Sequence, residues 1–189
     1  MKSIKTLFTL ILLIVMTSCS FYSLKGTIPS HINNIYIKPI INKSADQEIV
    51  NYLNEKVNDL LISENILEIV DYDNADSRID ITILDVLDLP YTLSKGTQTE
   101  KVDEWKISVK ARVSWLDFNK GETIFDIVIT EWGIYGTSLD ISTDGIDNDG
   151  DGLIDSEDSD EIGTPRNSAR IIAANKIADK ILTKITSTW

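Results

Sequence analysis

The chain has 189 residues, a formal charge of −12 and a single cysteine. That length suits one domain with a proper core and is short for two, and the lone cysteine excludes an internal disulfide. Eight Asp and two Glu lie between Asp140 and Glu161 with no Lys or Arg among them, which leaves −2 for the rest of the chain; with no dense basic stripe, nucleic acid is not an expected partner.

The first twenty residues read as a bacterial lipoprotein signal. Lys2 and Lys5 form a positive start, Leu7 to Met16 an apolar run, and Thr17 and Ser18 are small residues before Cys19. The run is shorter than the roughly twenty apolar residues a bilayer span requires. Met16 stands where such signals usually carry leucine. Residues 1–18 are therefore the expected signal peptide, Cys19 the lipidated residue, and 19–30 a tether. Acyl chains anchor stably, since each buried methylene contributes about 0.8 kcal/mol. Ser20, in place of the aspartate that retains lipoproteins at the inner membrane, directs the protein to the outer membrane, with its domain in the periplasm.

The alternation of Ile35, Ile37 and Ile40 predicts a strand that Pro39 places near an edge or end. Ser44 and Gln47 fit a capping box ahead of a helix from Ala45 to Ser63, whose apolar stripe is Ile49, Leu53, Val57, Leu60 and Leu61. Ile66 to Val70 is a short strand and Asp71 to Asp76 a turn cluster. A third strand starts at Ile79, Ile81 and Ile83 and is expected to break near Leu89-Pro90. The clearest strand carries Trp105, Ile107, Val109, Ala111, Val113 and Trp115 on an apolar face, with Lys106, Ser108, Lys110, Arg112 and Ser114 on a wet one. Asn119-Lys120-Gly121 turns the chain into a returning strand with Phe125, Ile127 and Ile129. Thr164 as N-cap and Pro165 at the first helical position open a final helix with Ala169, Ile172, Ala173, Ile177, Ile181 and Ile185 on its apolar stripe, edged by Lys176 and Lys180. The expected architecture is α+β, with two helices on one face of a mixed or antiparallel sheet of four to five strands.

The run CSFYSLKGTIPSHINNIYIKPIINKS resembles the mature start of the lipopolysaccharide-assembly lipoproteins called LptE. The matching elements are Cys19, Tyr22, Ser23, Leu24, Gly26, Pro29, the Ile35–Ile40 strand and Asn42. The helix from Ala45, the passage ILEIVDYDNAD, the strand from Trp105 to Trp115 and the ending ILTKITSTW are also similar to that family. The resemblance spans nearly the whole mature chain from Cys19 apart from an insertion at 140–163, with the α+β domain expected over residues 31–189. It implies a non-enzymatic outer-membrane lipoprotein that plugs a β-barrel partner of the LptD type and helps deliver lipopolysaccharide to the cell surface.

The insertion departs from that family. Read as a twelve-residue calcium loop, it places Asp147, Asp149 and Asp151 at positions 1, 3 and 5, Gly152 at 6, the Leu153 carbonyl at 7, Asp155 at 9 and Asp158 at 12. Calcium needs six to eight hard oxygen ligands, and the glycine permits the sharp turn. An aspartate at the last position resembles dockerin-type and thrombospondin type 3 loops. A structural calcium clip is the expectation; a solvated acidic loop is the plainer alternative.

His31, the only histidine, has no partner that suggests nucleophilic chemistry, and no phosphate loop, zinc spacing or hydrolase elbow is present, so no enzyme is expected. Asp80, Asp85, Asp88, Asp103 and Glu104 read as solvated carboxylates. Lys106, Lys110 and Arg112 share one strand face and are candidates for lipopolysaccharide phosphates, although such a row is also the ordinary wet side of a half-buried strand. Trp105 and Trp115 read as core. A different functional class stays open: a calcium-dependent adhesion or scaffold-docking lipoprotein, with the acidic loop as its working surface.

Overall fold

A computed structural model of the chain describes residues 28–95, 100–136, 152–154 and 164–187. Six strands and two helices follow in the order β1 (Asn34–Ile37), β2 (Ile41–Asn42), α1 (Glu48–Ser63), β3 (Glu68–Ile69), β4 (Ser77–Lys95), β5 (Glu100–Asp117), β6 (Glu122–Gly136) and α2 (Pro165–Thr186). The sheet order is β3-β1-β4-β5-β6, with β2 also pairing β4. The pairs β1–β3, β1–β4 and β2–β4 are parallel, while β4–β5 and β5–β6 are antiparallel. The fold is thus the expected α+β sandwich over a mixed sheet, with six strands rather than four or five.

One face of the sheet carries the core. Ile49, Leu53, Val57 and Leu61 recur every fourth residue on α1 and are buried. From α2 come Ala173, Ala174, Ile177, Ala178, Ile181 and Ile185; from the sheet Ile35, Ile79, Ile81, Ile83, Val109, Ala111, Val113, Trp115, Phe125 and Ile129. Each fully buried branched side chain stabilises the fold by about 2 kcal/mol. The alanines let α2 lie close to the sheet. Closest of all is Gly133 on β6, where an added Cβ would collide with the backbone carbonyl of Ala169. Ile28, expected in the tether, packs against this core.

Four local expectations change. First, α1 begins at Glu48 and not at Ala45, and the capping box does not form: Gln47 makes no side-chain cap bond. The Ile49 N–H donates instead to Asp46 Oδ1 (3.3 Å), while the Ser44 hydroxyl donates to Asn42 Oδ1 (2.8 Å). A shorter carboxylate nearer the helix satisfies the open N–H. Second, β4 does not break at Pro90 but runs to Lys95, with register shifts beside Pro90 and Thr92. Beyond Ile83 its only strand partner among the described residues is β5, so the proline lies on an open edge, where bulges accommodate it. Third, Thr164 occupies the N-cap of α2 without a side-chain cap bond; its carbonyl accepts from the Asn167 N–H (2.7 Å). Fourth, the Ile66–Val70 strand is confined to Glu68–Ile69. The turn after β5 is as expected, with Gly121 at φ +66°. The Asp117 carboxylate organises it by accepting the N–H groups of Asn119 (2.9 Å) and Lys120 (3.1 Å).

Candidate functional site

The sheet face opposite the helices holds the cations expected from the sequence. Pairing in register puts Thr82, Arg112 and Val128 in one row across β4, β5 and β6. The next rows are Asp85–Lys110–Thr130, Leu87–Ser108–Trp132 and Leu89–Lys106–Ile134. Directly opposed residues share a face, so Lys106, Lys110 and Arg112 are brought together as predicted. They are not equivalent. Arg112 grips Asp126 in a bidentate pair, Nε at 2.8 Å and an Nη at 2.5 Å. The hydrogen bond raises the guanidinium pKa and lowers that of the carboxylate. Beside it, Arg78 pairs with Asp80 at 2.8 Å. This half of the face is a self-neutralised charge lattice, and Arg112 is not free to meet a phosphate.

The other half differs. The Lys106 ammonium lies 5.4 Å from the ring centre of Trp132 and 5.9 Å from that of Tyr91. Neither Lys106 nor Lys110 has a carboxylate within ion-pair distance among the described residues; Asp85 is the cross-strand neighbour of Lys110. Around Lys106 stand exposed apolar side chains: Leu87 (48% exposed), Leu89 (37%), Tyr91 (49%) and Trp132 (42%). The sequence reading had none of these four. The signal for Trp132 was present, since Val128, Trp132 and Ile134 make β6 apolar out of phase with Phe125, Ile127 and Ile129. Leu87 and Leu89 were hidden by the register shift between Ile83 and Asp85, which changes the face on which later β4 residues emerge.

A second cluster joins the N-terminal ends of both helices to β4. Arg166 donates to Asp88 (2.7 Å), which also accepts from the Tyr135 hydroxyl (2.6 Å). Burial alone would raise the Asp88 pKa; the hydrogen bonds from Arg166 and Tyr135 outweigh it and hold the carboxyl below its ordinary value. Burial, and then Asp88, push the Tyr135 phenol up to about 12. The buried Arg170 pairs with Asp46 (2.9 Å) and with Glu48, and an Nη donates to Asn167 Oδ1 (2.6 Å). Asp80 and Asp88 are thus paired groups and not the solvated carboxylates expected. At the opposite end of the sheet, His31 Nε2 donates to the buried Asp117 Oδ2 at 2.6 Å. Burial raises the Asp117 pKa, but the His31 bond and the turn N–H groups reverse this and lower it. Trp115 is fully buried as expected, and Trp105 is half-buried.

Cys19 and the calcium-loop positions Asp147, Asp149, Asp151, Asp155 and Asp158 lie outside the described residues. Of the loop positions only Gly152, at φ +94°, and Leu153, which is exposed, fall inside them. Among the described residues no group of three or more His, Cys, Asp or Glu could hold a metal, and no helix is long and apolar enough to cross a membrane.

No protein-family model matches the chain, and no curated protein matches it. Similar solved structures include a minor lipoprotein from Acinetobacter baumannii, 13% identical with TM-score 0.43, covering 82% of this chain and 94% of the other. An uncharacterised lipoprotein B from Nitrosomonas europaea is 14% identical with TM-score 0.45, covering 85% and 84%. A hypothetical protein from Chlamydia trachomatis is 10% identical with TM-score 0.49, covering 84% and 99%. At this distance the likeness assigns no activity or partner to this chain.

Proposed function

We propose that the chain is a non-enzymatic lipoprotein of the outer membrane, anchored through Cys19 with its domain in the periplasm, that assists lipopolysaccharide assembly by binding a β-barrel partner of the LptD type. What supports the reading is the run of LptE-like segments in the sequence, taken with an α+β element order in which a short strand, a helix, a long alternating strand and a terminal helix occur in that order along the chain. The non-enzymatic part of the reading draws on the buried and half-buried ionisable groups, since Asp46, Asp88, Arg166, Arg170 and Asp117 are all engaged in holding elements together. The test is an affinity pull-down of the tagged lipoprotein from its own detergent-solubilised outer membrane. A stoichiometric large β-barrel is the expected result; recovery of the protein alone, or with surface scaffold or adhesin proteins, overturns it.

Within this reading the acidic insertion is a structural calcium clip. Asp147, Asp149, Asp151, Asp155 and Asp158 would supply carboxylates and Leu153 a carbonyl. A terbium or calcium titration of the purified protein is expected to saturate, and Asp149→Ala with Asp151→Ala to abolish the response. An unresponsive wild type removes the calcium site. The full register of the loop also favours the adhesion or scaffold-docking reading, and deletion of Asp140 to Gly163 separates the two: assembly function survives the deletion, adhesion does not.

A further inference from the structure

We infer that the outer face of β4–β5–β6 around Lys106 is a surface that rests on the headgroup layer of an anionic lipid bilayer. The inference rests on the lipid-anchor reading only for how often the surface meets the bilayer, not for its chemistry. Leu87, Leu89 and Trp132 stand exposed on neighbouring rows of one face, and Tyr91, passed over by the register between Pro90 and Thr92, is exposed with its ring beside Lys106, whereas singly scattered apolar residues are the norm on a soluble surface. Their kind is specific. Trp and Tyr settle at the depth where hydrocarbon meets headgroups, leucines reach just below it, and lysines bind the phosphates above. Lys106 stands between the two rings, 5.4 Å from one and 5.9 Å from the other, so its ammonium is held at the level of the aromatic layer.

Side-chain kind selects this occupant: tryptophan, tyrosine and lysine together are the residues of a bilayer interface. Two carboxylates on this half of the face keep their charge, Glu104, which accepts from the Thr92 hydroxyl (2.7 Å), and Asp85, which accepts the Val86 N–H (3.0 Å). Asp85 is the cross-strand neighbour of Lys110 and offsets it, so Lys106, held against the two rings, is the cation offered to phosphate. Position agrees. The described chain begins at Ile28. Residues between Cys19 and Ile28 reach at most about 30 Å at roughly 3.3 Å each. An anchored domain is therefore confined close to the bilayer, at an effective concentration on the order of millimolar, where even weak surface affinity suffices.

The experiment uses the chain from Ser20 onward, which carries no acyl group and retains every core residue, because the core runs from Ile28 to Ile185. It is pelleted with vesicles of phosphatidylethanolamine and phosphatidylglycerol, and with phosphatidylcholine vesicles as control. Binding to the anionic vesicles is expected, weaker on the control. Leu87→Ser and Trp132→Ser should each weaken it about tenfold, and Lys106→Gln about fivefold. All three residues are outside the core, so circular dichroism melts should match wild type. Absence of pelleting, pelleting indifferent to these substitutions, or a dimer in sedimentation velocity that Leu87→Ser dissolves would each overturn the inference, the last by assigning the face to a second copy. Because the chain here has neither anchor nor barrel partner, failure of this test leaves the pull-down result standing, and the reverse also holds.

Discussion

The two faces of β5 are built on the same backbone and have opposite fates. Ile107, Val109, Ala111, Val113 and Trp115 are all 0% exposed beneath the helices. Their neighbours on the other side, Lys106, Ser108, Lys110, Arg112 and Ser114, look outward. The inner face is closed by the chain itself, to the point that α2 leaves no room for a Cβ at Gly133. The outer face is closed by charge over one half, where Arg78–Asp80 and Arg112–Asp126 neutralise one another, and over the other half apolar groups remain without a covering element among the described residues. A sheet of this kind separates stability from recognition. Substitutions on one face should change folding, and substitutions on the other should change only what the protein touches.

The sharpest break of that contrast is at Gly133. Replacement by alanine must push α2 off β6, and a cost of about 3 kcal/mol is expected, read as a lowered thermal midpoint. A variant that melts like wild type would mean that α2 is not seated as described. A smaller effect is expected at Asp117, where the inner structure is held by charge. Asp117→Asn removes the carboxylate that binds His31 and the turn, and about 1–2 kcal/mol should be lost at neutral pH. Its folded pKa is lowered, so its contribution is full above the ordinary carboxylate pKa of about 4 and disappears as pH falls through the lowered folded value. Wild-type stability should therefore fall more steeply than that of the variant below about pH 4 in a pH series of denaturant melts. Parallel curves would remove Asp117 from the acid response.

The inner face was legible because period-2 and period-3.6 patterns report burial directly. The alternation from Ile107 to Trp115 and the α1 stripe of Ile49, Leu53, Val57 and Leu61 are both found buried where the patterns place them. The outer face was legible only for its charges. A row of Lys and Arg shows which side of a strand is wet, but not which cations are already engaged. The pairing of Arg112 with Asp126 is a long-range contact between two strands, and it depends on a register that the turn at Asn119-Lys120-Gly121 sets only in combination with the bulge at Trp115/Leu116. Bulges erased the rest of the signal. One extra residue after Ile83 sends Leu87 and Leu89 outward, although a simple alternation starting at Ile79 would place both on the inner face. Asp46 displaced the Ser44–Gln47 cap for a similar reason. Local sequence offers several oxygen acceptors to one helix end, and Arg170 on α2 fixes Asp46 in place.

The smallest expected effect is the most discriminating for the outer face. Leu87→Ser with Leu89→Ser removes two large apolar side chains, a change that in a core costs several kcal/mol. Here both are exposed, at 48% and 37%, so the stability change is expected to stay within about 0.5 kcal/mol in either direction. The measurement is a urea melt of the double variant against wild type, with the slope compared as well as the midpoint. An unchanged midpoint alongside weakened lipid binding is the signature of residues kept for contact. A loss of about 2 kcal/mol or more would instead show that these leucines pack against part of the chain in solution. The outer half-face would then belong to the core, and the separation of stability from recognition would fail at the place where it is most exposed to test.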